Sequence, residues 1–410
     1  MGRWVEVVWT DLLGRAHVVR ASEDAAKAGE LTVPASAITQ GYDVAGSGLE
    51  VAELRIDWET ERDLPWDPDA SLVVADLFAD GKPSPACARS FLRDAAAVAA
   101  EDGISIRAAV ELEFYLVDPA TGKPVYDQID NYSLSRVVSE PVITDLRRQM
   151  RAIGVGVEAS NPEYAGGQYE INISHDELLA AADQATLARL FTGKMAQRHG
   201  LLATFMPKPW TELSSSGIHV HQSLWRDDVN IVYGSAHELA PIGMSYLAGL
   251  LESMSDFALL GSPTPNGFHR RADSSFAPTV VAWSTDNRTT AVRVVYGGPA
   301  GTRIEHRDGA ADCNLYLTIG AQARAGLDGI EREADPGPIT TGNAYAQDLP
   351  TLPRTFVEAY DQLRESELAA RLLPAELIDA YLTALAPEVD AAITYSSDWE
   401  RDRYAEVPLR

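Results

Sequence analysis

Residues 109–116 read Ala-Val-Glu-Leu-Glu-Phe-Tyr-Leu. A β-strand sends alternate side chains to opposite faces. Val110, Leu112, Phe114 and Leu116 then make one apolar face, and Glu111 and Glu113 sit together on the other. Three more stretches repeat the pattern. In 167–173 (GQYEINI), Tyr169, Ile171 and Ile173 face one way and Gln168, Glu170 and Asn172 the other. In 217–224 (GIHVHQSL), Ile218, Val220 and Leu224 oppose His219, His221 and Ser223. In 303–307 (RIEHR), Arg303, Glu305 and Arg307 align. One such strand alone reads as a half-solvated sheet edge. Four that carry carboxylates, imidazoles and guanidiniums, with almost no Lys or Thr, point to a shared chemical site.

Working outward, residues 3–10 (RWVEVVWT) read as a strand, Asp11–Gly14 as a turn, and Ala16–Arg20 as the returning arm of a hairpin. Val51–Ile56 and Ser71–Leu77 are further short strands. The run Asp80-Gly81-Lys82-Pro83-Ser84-Pro85 breaks structure. An Ala-rich helix is expected from Cys87 to Glu101, with Gly103 past its end. The fold class is α+β, with a small, mostly β domain giving way to a larger mixed one between residues 80 and 100. Towards the C-terminus, helices are expected over Leu352–Leu372 and Pro374–Leu385. Phe356, Ala359, Tyr360 and Leu363 share one face of the first, which is a packing signature.

The whole chain sets bounds on function. Its 410 residues favour two domains over one core. A net charge of −26 repels phosphate backbones and anionic lipid, which argues against a nucleic-acid or membrane-surface role. Cys87 and Cys313 stand far apart in no metal-binding spacing, as expected for a reducing compartment. The opening MGRWVEVVWTDLLGR does not read as a signal peptide, and no run of about 20 apolar residues exists. A cytoplasmic protein is the expectation.

Carboxylates with one or two imidazoles suit hard divalent cations. Between residues 270 and 307 lie Arg270, Arg271, Arg288, Arg293, Arg303 and Arg307, against only Asp273, Asp286 and Glu305. A local basic segment in an acidic chain suits the charge of a transferring phosphoryl group. There is no G-x-x-x-x-G-K-[ST] loop, no dinucleotide fingerprint opening a helix and no G-x-S-x-G elbow.

In this order the four strands resemble the glutamine synthetase superfamily over nearly the whole chain. The likeness is carried by Glu111-x-Glu113, by E-x(4)-Q-x-E from Glu163 to Glu170, and by Met206-Pro207-Lys208-Pro209 before His219-x-His221. It is also carried by Asn287-Arg288-x(4)-Arg293, by Arg303-x-Glu305-x-Arg307 before Asn314, and by Asp398-Trp399-Glu400-Arg401 with Tyr404. The resemblance implies a β-grasp domain over 1–95 and a catalytic domain over 96–410, a sheet funnel with two metal sites. By position, Glu113, Glu163 and Glu170 would hold one Mg2+ or Mn2+ ion, and Glu111, His219 and Glu305 the other. His221, Ser223, Arg303, Arg293 and, less directly, Glu158 match positions that hold ATP. Arg288 matches the arginine at the transferring phosphoryl group, and Arg270 and Arg307 those that hold the substrate carboxylate. The implied reaction phosphorylates a carboxylate with ATP and then lets an amine displace phosphate. The implied assembly is a homo-oligomer, a dodecamer.

Departures from the family pattern bear on substrate. Glutamine synthetases carry a glutamate on the flap that closes over the site. Here the corresponding run, 266–278, reads NGFHRRADSSFAP and puts Phe276 at that position. A phenyl ring takes no proton but packs against an alkyl or aromatic amine, which resembles the branch that makes γ-glutamyl amides of organic amines and polyamines. Asp43 is a candidate for the ammonium-site aspartate, or a turn cap. Ser214-Ser215-Ser216-Gly217 stands where the family has Asn and Gly positions that contact glutamate. Three alternatives therefore stay open: an ammonia-dependent glutamine synthetase, a ligase for another acid, and an inactive regulatory homologue.

Overall fold

The structure, a computed structural model, describes residues 2–34, 37, 51–126, 132, 141–272 and 275–404. Asp43 lies outside the described residues.

The Val/Trp-rich run forms strand β1 (Trp4–Thr10), which pairs antiparallel with β2 (Ala16–Ser22) through the expected turn. Gly14 closes that turn at φ +87, with its Cα against Asn314, where a Cβ would lie 2.5 Å from the Asn314 Cα. Strands β3 (Thr32–Pro34), β4 (Val51–Leu64), β5 (Asp67–Ala79) and β6 (Lys82–Pro83) complete a sheet of order β2-β1-β5-β4-β3, with β6 on β5. Strands β1 and β5 run parallel. Both β4 and β5 are longer than the sequence suggests. The extension Asp57–Asp63 is polar and largely exposed, so it carries no apolar alternation to read.

The helix Ala88–Glu101 follows, one residue shorter than expected, and buries Phe91, Leu92, Ala95 and Ala99 along one face. Arg89 at its start is 2% exposed and reaches three aspartates. It donates to Asp183 at 2.7 and 2.8 Å, to Asp76 at 3.0 Å and to Asp57 at 2.9 Å. Asp57 and Asp76 belong to the first sheet, and Asp183 to the helix Leu178–Arg198 behind the second. A buried guanidinium with its donors met on several sides fixes these elements against each other.

The second sheet has ten strands, with central order β16-β17-β18-β12-β7-β10-β9. They are β7 (Ser105–Asp118), β8 (Lys123–Pro124), β9 (Val157–Pro162), β10 (Gln168–Glu177), β11 (Leu202–Thr204), β12 (Gly217–Arg226), β13 (Val229–Asn230), β16 (Trp283–Thr285), β17 (Val292–Val295) and β18 (Arg303–Ala310); a separate hairpin joins β14 (Tyr233–Ser235) and β15 (Glu238–Leu239). The apolar faces pack as predicted: Val110, Leu112, Phe114 and Leu116 are each at most 1% exposed. Helix Leu178–Arg198 covers them, and Leu315–Glu331 lies beyond, crossing helix Pro241–Ser253 so closely that a Cβ on Gly249 would sit 2.0 Å from the Ala325 carbonyl oxygen.

The C-terminal helices differ from expectation. Residues 352–355 are not helical, because Thr355 caps a helix Phe356–Glu365. Ser366 then ends that helix and caps the next, Glu367–Leu372, by accepting from the Ala369 amide. The last long helix, Ala375–Thr394, runs past Leu385 and through Pro387. Val389 still packs on the core one turn past Leu385, and Pro387 between them is what stopped the reading early. Cys87 and Cys313 are both free and buried. Among the described residues no helix is long and apolar enough to cross a membrane.

Candidate active site

Sheet register brings the polar faces together. In β7 and β12, Glu111 lies opposite His219, and in β7 and β10, Glu113 lies opposite Glu170. In β12 and β18, His221 lies opposite Glu305, which in turn faces Arg293 on β17. Directly opposed residues share a face, so five separate strands deliver one continuous field of acids, imidazoles and guanidiniums.

Glu111, His219 and Glu305 offer ligand atoms within 4.8 Å of one another, and so do Glu113, Glu170 and His219. His219 Nδ1 lies 2.8 Å from Glu111 Oε2, and His221 Nε2 lies 2.9 Å from Glu111 Oε1. Arg303 Nε donates to His221 Nδ1 at 3.1 Å, so His221 carries its proton on Nε2 and donates it to Glu111. Glu305 is wholly buried and is met by Arg293 and by Arg307 Nη1, the latter at 2.8 Å.

The carboxylates split into two classes. Burial alone would raise Glu111, but hydrogen bonds from His219 and His221 hold it well below the usual carboxylate range. Burial likewise works against Glu305, yet His221, His219, Arg307 and Arg293 lower it to about 2. Glu170 goes the other way, raised to about 9 by burial and by the charges of Glu111, Glu113 and Glu163. Glu163 is raised to about 7 by burial and Glu113. Crowded acids that hold protons at neutral pH mark a place where positive charge is wanting. Hard oxygen donors and one imidazole suit a divalent cation there. Glu163 lies outside both close groups; its Oε1 accepts from Asn161 at 3.1 Å.

Beside the acids a cavity of about 350 Å3 opens between β7, β10, β12 and the turn before β18. It collects Glu158, His221, Ser223 and Arg303, four of the five residues assigned to ATP by resemblance. Sequence reasoning did not assign His175, Asn172 or Trp225, which also line it. Trp225 follows Ser223 by two on the same strand, so extending the period-2 pattern to the end of β12 would have found it. Its indole donates to Ser223 Oγ at 2.8 Å, and the Arg107 guanidinium stacks 4.3 Å from its ring. The fifth assigned residue, Arg293, is held at Glu305 instead.

Arg270 is 3% exposed, with Nη1 3.4 Å from the Asp308 carbonyl and Nε unpaired. A Cβ on Gly217 would sit 2.6 Å from its Nη2, so glycine there admits the guanidinium, while the Gly217 amide donates to Glu113 Oε2 at 2.7 Å. Arg271, part of the basic run, instead pairs with Asp308 at 2.7 Å as a buried structural bridge. Arg288 stands exposed in the turn between β16 and β17, where its charge acts on Glu163 and on the Tyr132 hydroxyl. Phe276 is 59% exposed at φ +61.

Residues 85–404 match the family described as glutamine synthetase, catalytic domain. A glutamate–isopropylamine ligase from Pseudomonas sp. is 32% identical over 391 residues, covering 90% of this chain and 85% of that one. A glutamine synthetase of Thermotoga maritima is 30% identical over 363 residues, covering 83% and 82%. A solved GmaS–ADP complex superposes with a TM-score of 0.89 at 27% identity, covering 98% of this chain and 96% of that one. The chain belongs to the glutamine synthetase family.

Proposed function

We propose that this enzyme is an ATP-dependent ligase that joins the γ-carboxylate of glutamate to an organic amine through a γ-glutamyl phosphate. The amine ligase and the glutamine synthetase above are 32% and 30% identical, too small a difference for identity to choose between amine and ammonium. Phe276 carries the choice. An exposed phenyl ring stands where the ammonia-using enzymes place a carboxylate, and it offers an alkyl group an apolar contact in place of a charge for a small cation.

Glu111, His219 and Glu305, with Glu113, Glu170 and Glu163, are the residues that would hold Mg2+ or Mn2+. Bound divalent ions supply charge neutralisation for the ATP phosphates. Glu158, His221, Ser223 and Arg303 would hold the nucleotide in the 350 Å3 cavity, and Arg293 and Arg288 are assigned to its phosphates by their match to the family's positions. Arg270 and Arg307 hold the acid substrate's carboxylates, so that a γ-carboxylate oxygen attacks the γ-phosphorus and ADP leaves. A neutral amine then attacks the acyl carbon, phosphate departs, and the amine's extra proton is released. The Phe276 ring covers the amine's substituent and keeps water from the acyl phosphate.

The test is ATP-dependent phosphate release with L-glutamate, comparing ammonium with alkylamines, diamines, polyamines, ethanolamine and anilines. Release with one organic class and little with ammonium is expected. Release with ammonium alone would overturn the role given to Phe276, and release only with another acid would move the weight to Ser214 and Ser215. We further propose that the chain works as a cytoplasmic homo-oligomer, a dodecamer. This is supported by Ile393, Tyr395, Trp399 and Tyr404 near the C-terminus, 50–75% exposed and free to bury against a second copy. A monomer by light scattering would rule it out.

A further inference from the structure

A second cavity, of about 420 Å3, lies between the β1–β2 turn, the helix Leu178–Arg198 and the segments around residues 205 and 263. None of the residues assigned to the reaction lines it. Its walls are largely apolar, with Leu13, Leu190, Phe205, Met206 and Pro263 among them. A volume of this order suits a small ligand.

Two polar groups in the wall have unused capacity. Both Arg189 Nη atoms donate to the single Cys313 carbonyl, at 2.9 Å each, while its Nε is buried without a hydrogen-bond partner. Asp312 accepts from Thr264 Oγ1 through Oδ2 at 2.8 Å, while its Oδ1 is buried without a partner. Among the described residues neither forms an ion pair within 4.0 Å, though the two charges lie near enough to act on each other. A buried polar group left unmet is destabilising, so a ligand that meets both is favoured. Arg15, on the hairpin side, adds a second positive charge to the wall. Gly193 also lines the space, in the middle of a helix where glycine is disfavoured against alanine. A Cβ built there meets no atom within 4 Å, so the room beside it is open.

We propose that this cavity binds an apolar α-amino acid, with its carboxylate on Arg189, its ammonium on Asp312 Oδ1 and its side chain against Leu190, Phe205 and Met206. A simple carboxylate would leave Asp312 unmet, and a simple alkylamine would leave Arg189 unmet. Only a molecule with both charges on one carbon and an apolar tail uses all three features.

Titration calorimetry on the full chain tests this, with saturating L-glutamate and ADP present to occupy the catalytic pockets. The probes are L-leucine and its single-ended analogues, 4-methylpentanoate and 3-methylbutylamine. Saturable leucine binding is expected, with each analogue at least about tenfold weaker. Gly193→Phe fills the space on a helix that tolerates it, and is expected to abolish leucine binding while ATP-dependent turnover persists. Leu190→Trp serves as a second filling variant should the first fail to fold. No saturable leucine binding up to about 10 mM, equal binding of the analogues, or undiminished binding in a folded filling variant would each overturn the proposal.

Discussion

Phe276 sits at φ +61, a region that costs a bulky side chain about 1–3 kcal/mol. Such a conformation aims the exposed ring rather than relaxing it. Phe276→Gly should therefore fold at least as stably as the parent, while the KM for the organic amine rises about tenfold or more for want of the apolar contact. Phe276→Glu should move the ratio of ammonium to amine turnover towards ammonium. Steady-state phosphate release reads both variants, and an unchanged ratio in Phe276→Glu would remove this residue from amine selection. Glu305 poses a different question. Arg293 and Arg307 hold it charged, so Glu305→Ala leaves two guanidiniums facing each other and only Glu111 as a carboxylate in that ligand group. Turnover should fall by at least about a hundredfold. Near-normal rates would mean that β18 does not face the reaction.

At the scale of elements, the site was more legible than its surroundings. Glu111, His219 and Glu305 were readable because strand alternation forces alternate residues onto one face, whatever the rest of the chain does. What no single strand could reveal was which strands are neighbours. The order β18-β12-β7-β10 decides that Glu111 answers to His219 and Glu113 to Glu170, and register comes from long-range packing. The exposed half of β4 went unread for the opposite reason, since it buries no face, and the end of Ala375–Thr394 because Pro387 reads as a helix breaker. Ser366 was missed as a break because a serine is tolerated inside helices and caps them only where the backbone allows. The apolar side of β7 also carries a prediction. Leu112 is 1% exposed beneath both candidate metal sites, so Leu112→Ala should cost about 2–5 kcal/mol in denaturant unfolding. A loss under about 1 kcal/mol would mean that this core yields more readily than its packing suggests.

Across the whole molecule, the two classes of carboxylate set a pH response. Glu163 and Glu170 are raised to about 7 and about 9 from an ordinary 4.5. Between those limits the metal-free folded chain keeps protons that the unfolded chain has released, so their contribution falls as pH rises through that window. Glu111 and Glu305 are held low, so their contribution is complete above about 4.5 and fades as pH drops below it. The metal-free melting temperature should therefore peak near the low end of the window and decline towards pH 9. Added Mg2+ or Mn2+ should erase that decline by binding the deprotonated acids. A melting curve at pH 8 indifferent to both ions would count against these acids as ligands. Arg89→Met, which leaves Asp183 without a cation and Asp57 and Asp76 with Arg93 alone, should cost about 3–5 kcal/mol in the same assay. That shared cation also governs where the chain can be cut. A fragment ending near residue 85, where the family match begins, keeps two of the three aspartates and loses their arginine. Extending it to the end of the helix at Glu101 restores Arg89 but leaves it short of its partner on the helix beyond residue 178. Either piece is expected to unfold more readily than the full chain, because only residue 183 completes the ion-pair cluster between the first sheet and the helix behind the second.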